Sequence, residues 1–103
     1  MEEQSLISSE VLARYAADAA REVSGVAGLA ESSMHRDRPV EISGSRDSTE
    51  ITVRVQLEWG SSAADVARDV QRRVAEYLER MARLTIASVD VVVAGVGPPP
   101  AKQ

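Results

Sequence analysis

The sequence predicts an α+β domain of order α-β-β-α-β, a two-layer sandwich with two helices on one face of a three-stranded mixed sheet. Two segments, residues 9–23 and 62–83, repeat their apolar residues at helical spacing. A third segment, residues 50–59, alternates strictly between apolar and polar residues, as a half-buried strand does. These three patterns carry the prediction of fold class.

The first predicted helix begins at Ser8 or Ser9, whose hydroxyl can accept a hydrogen bond from a free backbone N–H, with Glu10 favourably placed in the first turn. Gly25 lies just past the last periodic residue and can supply the left-handed conformation that closes a helix. The apolar stripe of this helix consists of Leu12, Ala16, Ala19 and Val23.

A β-hairpin is predicted to follow. Residues 26–39 show no clean period and indicate a loop or a short irregular strand. Val40 and Ile42 alternate with polar residues, and residues 44–48 are of the types that turns favour. The second strand of the hairpin is the alternating segment, whose apolar face consists of Ile51, Val53, Val55, Leu57 and Trp59.

The second predicted helix, residues 62–83, is amphipathic. Its charged residues form three pairs spaced four apart, which indicate either a solvated face or a rim of ion pairs to a neighbouring subunit. The predicted buried stripe consists of Val66, Val70, Val74, Tyr77, Met81 and Leu84.

The last predicted strand, residues 86–96, is apolar on both faces, which is typical of a strand inside a sheet. With two helices on one face, the strip of Val92, Ala94 and Val96 is left bare and becomes a candidate contact surface. The alternative is that a loop, residues 27–38, folds over this strip. We assign one domain to residues 8–96, between an N-terminal tail (1–7) and a Pro-rich tail (97–103) that is expected to be disordered.

Composition argues against several classes of function. The net charge is -4, which is a poor match for the phosphate backbone of a nucleic acid. The chain contains no Cys and one His, so neither a metal site, a cofactor nor a catalytic residue is predicted. The longest apolar stretch, residues 91–96, is of strand length, and direct membrane insertion is therefore not expected.

Three residues or motifs carry alternatives. His35 lies in a polar segment, where a solvated side chain is favoured over a general base, and an enzyme would need a pocket around it. The GxxG segment, residues 25–28, has the form used by RNA-binding modules of the KH type, although helix termination explains it as well. Trp59 either completes the edge of the core or anchors an interface.

Several short motifs, in order and spacing, resemble the alkaline shock protein family over about residues 6–96. The matching positions are Ile7, Ser8 and Val11; Ala16, Ala19 and Ala20; residues 22–28; Val53, Val55, Leu57, Trp59 and Gly60; residues 65–67; Val70, Gln71 and Val74; and residues 89–91 with Gly95 and Val96. Two features depart from the family: Trp59 stands where Tyr is commoner, and residues 34–47 follow no family pattern.

The resemblance implies a cytoplasmic, non-enzymatic protein of Gram-positive bacteria that supports cell-envelope homeostasis and responds to envelope stress. It implies self-association into a homo-oligomer. It also implies a peripheral position at the inner face of the membrane, held by a small membrane-embedded anchor protein or paralogue. We therefore expect a scaffold whose contacts include Trp59, Val92, Ala94 and Val96, with a KH-like RNA-binding module as the alternative.

Overall fold

A computed structural model describes residues 8–30 and 38–98 and shows an α+β fold with two helices and a four-stranded sheet. The predicted class and both helices are confirmed, but the predicted count of three strands is wrong. Both predicted tails, apart from residues 97 and 98, lie outside the described residues. In chain order the elements are α1 (Ser9–Arg21), β1 (Val26–Leu29), β2 (Val40–Ser45), β3 (Ser48–Leu57), α2 (Ala63–Ala82) and β4 (Ile86–Val96).

Both helices are capped at the N-terminus by a serine, Ser8 for α1 and Ser62 for α2. The Ser8 hydroxyl accepts a hydrogen bond from the Val11 N–H at 3.2 Å, and the Ser62 hydroxyl accepts one from the Asp65 N–H at 3.3 Å. The helix α1 ends two residues earlier than predicted, and Gly25 instead turns the chain into β1 with φ of 95°. Arg83 closes α2 in the left-handed conformation, with φ of 58°.

The strand β3 lies at the centre of the sheet. It pairs antiparallel with β2 through a two-residue turn at Arg46 and Asp47, which confirms the predicted hairpin. It pairs in parallel with β4, which the chain reaches through α2. The sheet is therefore mixed.

The fourth strand, β1, occupies the part of β3 that β2 leaves free. Pairing with β2 extends along β3 only to Val53, and β1 pairs antiparallel with residues 55–57. Arg54 lies at the junction, where its N–H donates to Pro39 (2.8 Å) and its C=O accepts from Ala30 (2.9 Å). The strands β1 and β2 thus lie end to end along one edge of β3. A segment of four residues is too short to show an alternation. It forms a strand because the backbone groups of β3 beyond Val53 are otherwise unpaired on this side.

The apolar residues on both faces of β4 predicted a strand inside the sheet. This prediction is wrong, because β4 lies at an edge. The strands β1 and β2 share one edge of β3, and β4 takes the other. Within the part of the chain that the structure describes, nothing pairs with the outer edge of β4. Burial between two layers therefore does not explain why β4 is apolar on both faces.

The core lies between the two helices and one face of the sheet. Its largest fully buried side chains come from β3 and α2: Ile51, Val53, Val55, Val70, Val74 and Leu78. The buried stripe of α2 keeps a spacing of four from Val66 through Leu78, so the predicted Met81 is wrong as a core residue and is 48% exposed. Tyr15 and Tyr77 join the helices edge to face, with ring centroids 6.0 Å apart.

Candidate interaction surface

The described residues hold little that could perform chemistry. Among residues 8–30 and 38–98, no cluster of His, Asp and Glu could hold a metal ion. His35 lies outside these ranges. No helix in the same ranges is long and apolar enough to cross a membrane. The GxxG segment runs from a turn at Gly25 into β1, where Gly28 lies opposite Gln56, so it forms no loop between two helices.

The outer edge of β4 presents backbone groups that no described strand uses. Thr49 donates to the Thr85 carbonyl and Leu57 accepts from Gly97, so odd-numbered residues of β3 turn their backbone polar groups toward β4. In a parallel ladder, a β3 residue that faces β4 bonds to the two neighbours of its registered partner. The backbone N–H and C=O of that partner then point away from β3. The registered partners are Val89 for Ile51, Val91 for Val53 and Val93 for Val55.

One contact confirms this orientation directly. The side-chain amide of Gln71, on α2, donates to the Val89 carbonyl at 3.0 Å, which places that carbonyl on the outer edge. By the period of two, the N–H and C=O groups of Val91 and Val93 point the same way. The structure thus leaves an edge with donors and acceptors facing outward.

The side chains beside this edge are apolar on both faces of the sheet. Val93 lies on the helix-facing side with Val55 as its partner and is 39% exposed. Val92 lies on the open face opposite Arg54 and is 40% exposed. The edge strand β4 therefore offers valine methyl groups above and below its unpaired backbone.

Of the four predicted contact residues, the structure brings three onto β4 but does not put them on one face. A bulge between the pairs at Val55 and Gln56 shifts the register, so that Val96 lies opposite Leu57 on the helix-facing side, away from Val92. Ala94 is the residue at the bulge, and it is exposed. The predicted single strip is therefore divided between the two faces.

Trp59 follows the end of β3, at the same end of the sheet as Val96. Its side chain is 59% exposed, so the interpretation that it completes the edge of the core is wrong. An exposed Trp is a large apolar surface that a partner could cover.

Two features of this surface escaped sequence reasoning. Val93 shares the alternation of the buried Val89, yet it is 39% exposed, because α2 does not cover it fully. Gln71 was noted in the sequence only among the family-like positions, and its position above β4 shows that it bonds the edge. No pattern in the sequence specifies either, because both depend on which strand ends up at the edge.

A groove runs between α2 and β4 beside this edge. It has a volume of about 530 Å³ and is open to solvent. Arg68 and Arg72 line its helix side, and each is paired within α2, to Asp65 at 3.5 Å and to Asp69 at 3.3 Å. Asp90 lies on the strand side. Its cations are thus already neutralised, and it does not form a basic track for a nucleic acid.

Comparison with known proteins gives a family and a fold. The model of the alkaline shock protein 23 family, described as having a cell envelope-related function, matches residues 1–98. No curated protein matches the chain by sequence.

Among solved structures, several of the MamM CTD are similar in fold. A triply substituted form is 16% identical with a TM-score of 0.55, covering 84% of this chain and 93% of that one. A nickel form is 16% identical with a TM-score of 0.54, covering 84% of this chain and 96% of that one. At this identity the likeness concerns the fold alone.

Proposed function

The chain belongs to the alkaline shock protein family, whose function is related to the cell envelope, and from this premise we propose that it is a non-catalytic scaffold that self-associates and docks onto a membrane-anchored partner. In this proposal the protein works at the inner face of the membrane, held there by its partner. It contributes contacts to envelope homeostasis and performs no reaction.

The observation that carries the proposal is a valine-rich edge strand with which no described strand pairs on its outer side, in a domain whose described residues hold no cluster of acidic and histidine side chains fit for a metal ion. Monomeric proteins blunt their sheet edges with charges, prolines or covering segments. In β4 one residue of eleven, Asp90, is charged. An apolar edge of this length is a surface for another protein.

A second contact, with the membrane-anchored partner, is assigned to Trp59. Its exposed ring lies at one end of the sheet, next to the turn at Gly60, while the free edge runs along the side. Exposed aromatic residues are enriched among the side chains that dominate binding energy. The two contacts can therefore be made at the same time.

Crosslinking and capture from membranes of the native host tests the docking. The intact chain, carrying an affinity tag, is compared with Trp59→Ala and with Met81→Ala, which removes a similarly exposed apolar side chain from α2. We expect one membrane protein to be captured by the unsubstituted chain and by the Met81 variant, and at least about tenfold less by the Trp59 variant. Equal capture by both variants removes Trp59 from the contact, and no membrane-protein adduct with any of the three contradicts the docking.

A further inference from the structure

We propose that the free edge of β4 pairs with the same edge of a second copy, antiparallel about a two-fold axis at Val91, so that two sheets join into one. This inference rests on the proposed self-association and names its surface. The contact is a backbone ladder flanked by valines, which is a form of β-strand addition.

The edge has one segment regular enough to form such a ladder. The register between β3 and β4 is interrupted near Ile86 and again near Gly95, and it is continuous for residues 88–93. Within this segment the outward backbone groups belong to Val89, Val91 and Val93. The other edge of the sheet is divided between two short strands, β1 and β2, of four and six residues.

Geometry and charge together select the occupant and the register. In an antiparallel pair, outward-pointing residues must face outward-pointing residues. Val91 can therefore lie opposite Val89, Val91 or Val93 of the second copy. The first choice places Asp90 against Asp90, which is unfavourable, and the third uses only residues 91–93 of the regular segment.

The remaining register, with Val91 opposite Val91, pairs residues 89–93 of both copies. On the helix-facing side Val89 meets Val93, and on the open face Asp90 meets Val92. Val92 is registered with Arg54 within its own chain, but the Arg54 guanidinium is bound on the β2 side of β3, to Glu41 at 3.3 Å and to the Arg38 carbonyl at 2.9 Å. The electrostatic argument for this register is therefore that each Asp90 lies opposite a valine and not opposite the second Asp90.

Gln71 does not prevent this pairing. A carbonyl oxygen has two lone pairs, so the Val89 oxygen can accept from Gln71 and from the N–H of a second strand. The Gln71 side chain lies on the helix side of the edge, beside Val89, where the proposed ladder ends.

The test exploits the charge that the register places beside Val92. Val92→Lys would face Asp90 of the second copy, and Val92→Asp would place two carboxylates together, each twice per dimer. Sedimentation equilibrium of the full chain over a range of concentrations should show the Lys variant associating about tenfold more tightly than the Asp variant. A purely apolar contact predicts equal weakening by both.

Net charge is controlled with Ser43→Lys and Ser43→Asp, which make the same charge changes at an exposed site on β2. Thermal unfolding verifies that each variant is folded. Amide hydrogen exchange supplies a second measurement. Protection of the Val91 and Val93 amides should rise with protein concentration, while the Val92 amide, which is bonded to β3, should be protected at every concentration.

The outcomes separate this proposal from the proposed function. Association with no difference between the Val92 variants beyond that of the Ser43 pair overturns the edge pairing and leaves self-association standing. A concentration-independent monomer overturns both the pairing and self-association, whereas docking to the membrane partner is judged by the capture experiment. A Lys-over-Asp preference with concentration-dependent protection at Val91 and Val93 supports the ladder.

Discussion

Gly25 shows how a single residue fixes the relation between α1 and β1. Its φ of 95° lies in the left-handed region, where residues with a Cβ are strained. A Cβ at this position would also lie 2.5 Å from the Val66 Cγ2, so α2 packs directly against the backbone of the turn. Conformation and packing both require glycine here.

We therefore expect Gly25→Ala to lower the free energy of unfolding by about 2–4 kcal/mol, because backbone strain and overpacking add. Chemical denaturation monitored by circular dichroism measures the change. Gly60→Ala is the matched control, since Gly60 has φ of 87° but no atom within 4 Å of the added Cβ. Its cost should be about 1 kcal/mol, from strain alone. Equal losses in the two variants would show that the contact with Val66 carries no energy.

Among the elements, α2 shows most clearly where residue spacing determines packing. Its buried residues follow a strict spacing of four, which keeps Leu78 fully buried and turns Met81 outward. Both side chains are large and apolar, so composition does not distinguish them. The distinction comes from the spacing, because Leu78 continues the series of Val66, Val70 and Val74 and Met81 does not.

Leu78→Ala should destabilise the domain by about 2–5 kcal/mol, because it removes buried methyl groups and leaves a cavity. Met81→Ala should change the free energy of unfolding by less than about 0.5 kcal/mol, since its side chain is half exposed. Urea denaturation of both variants checks the pair. If Met81→Ala lowered the free energy of unfolding more than Leu78→Ala, the assignment of Leu78 to the core and of Met81 to the surface would be wrong.

The same elements show how far the sequence determines the fold. The strand β3 and its hairpin with β2 were predictable because alternation and turn residues are local properties. The strand β1 was predicted only as one of two alternatives, a loop or a short irregular strand, since it depends on the length of β3 that β2 leaves unpaired. The edge position of β4 was also missed, because strand order is decided by pairing between segments far apart in the chain.

The candidate surface was predictable to the same extent. Val92 and Val96 are exposed on β4, as the sequence predicted, although β4 itself was expected inside the sheet, and Trp59 is exposed as well. That these residues make contacts stays a prediction. Their division between two faces follows from one bulge in the register. A bulge of a single residue has no signature in the pattern of apolar residues, and a shift of one residue reverses the face of every side chain beyond it.

At the scale of the whole molecule, the balance between apolar contact and net charge governs association. Each copy carries a formal charge of -4, so two copies repel one another. The proposed ladder of backbone hydrogen bonds and valine contacts is insensitive to salt, whereas the repulsion is screened by it.

We expect self-association to tighten as ionic strength rises from about 0.01 M to about 0.15 M. With charge centres of order 25 Å apart for domains of this size, the repulsion falls from about 1 kcal/mol to near zero as the Debye length shortens from about 30 Å to about 8 Å. The dimer dissociation constant should therefore fall about fivefold. Sedimentation equilibrium in buffers that differ only in salt measures this. Weaker association at higher salt would indicate an interface built on ion pairs, such as one made by Arg68 and Arg72, and would argue against an apolar edge as its centre.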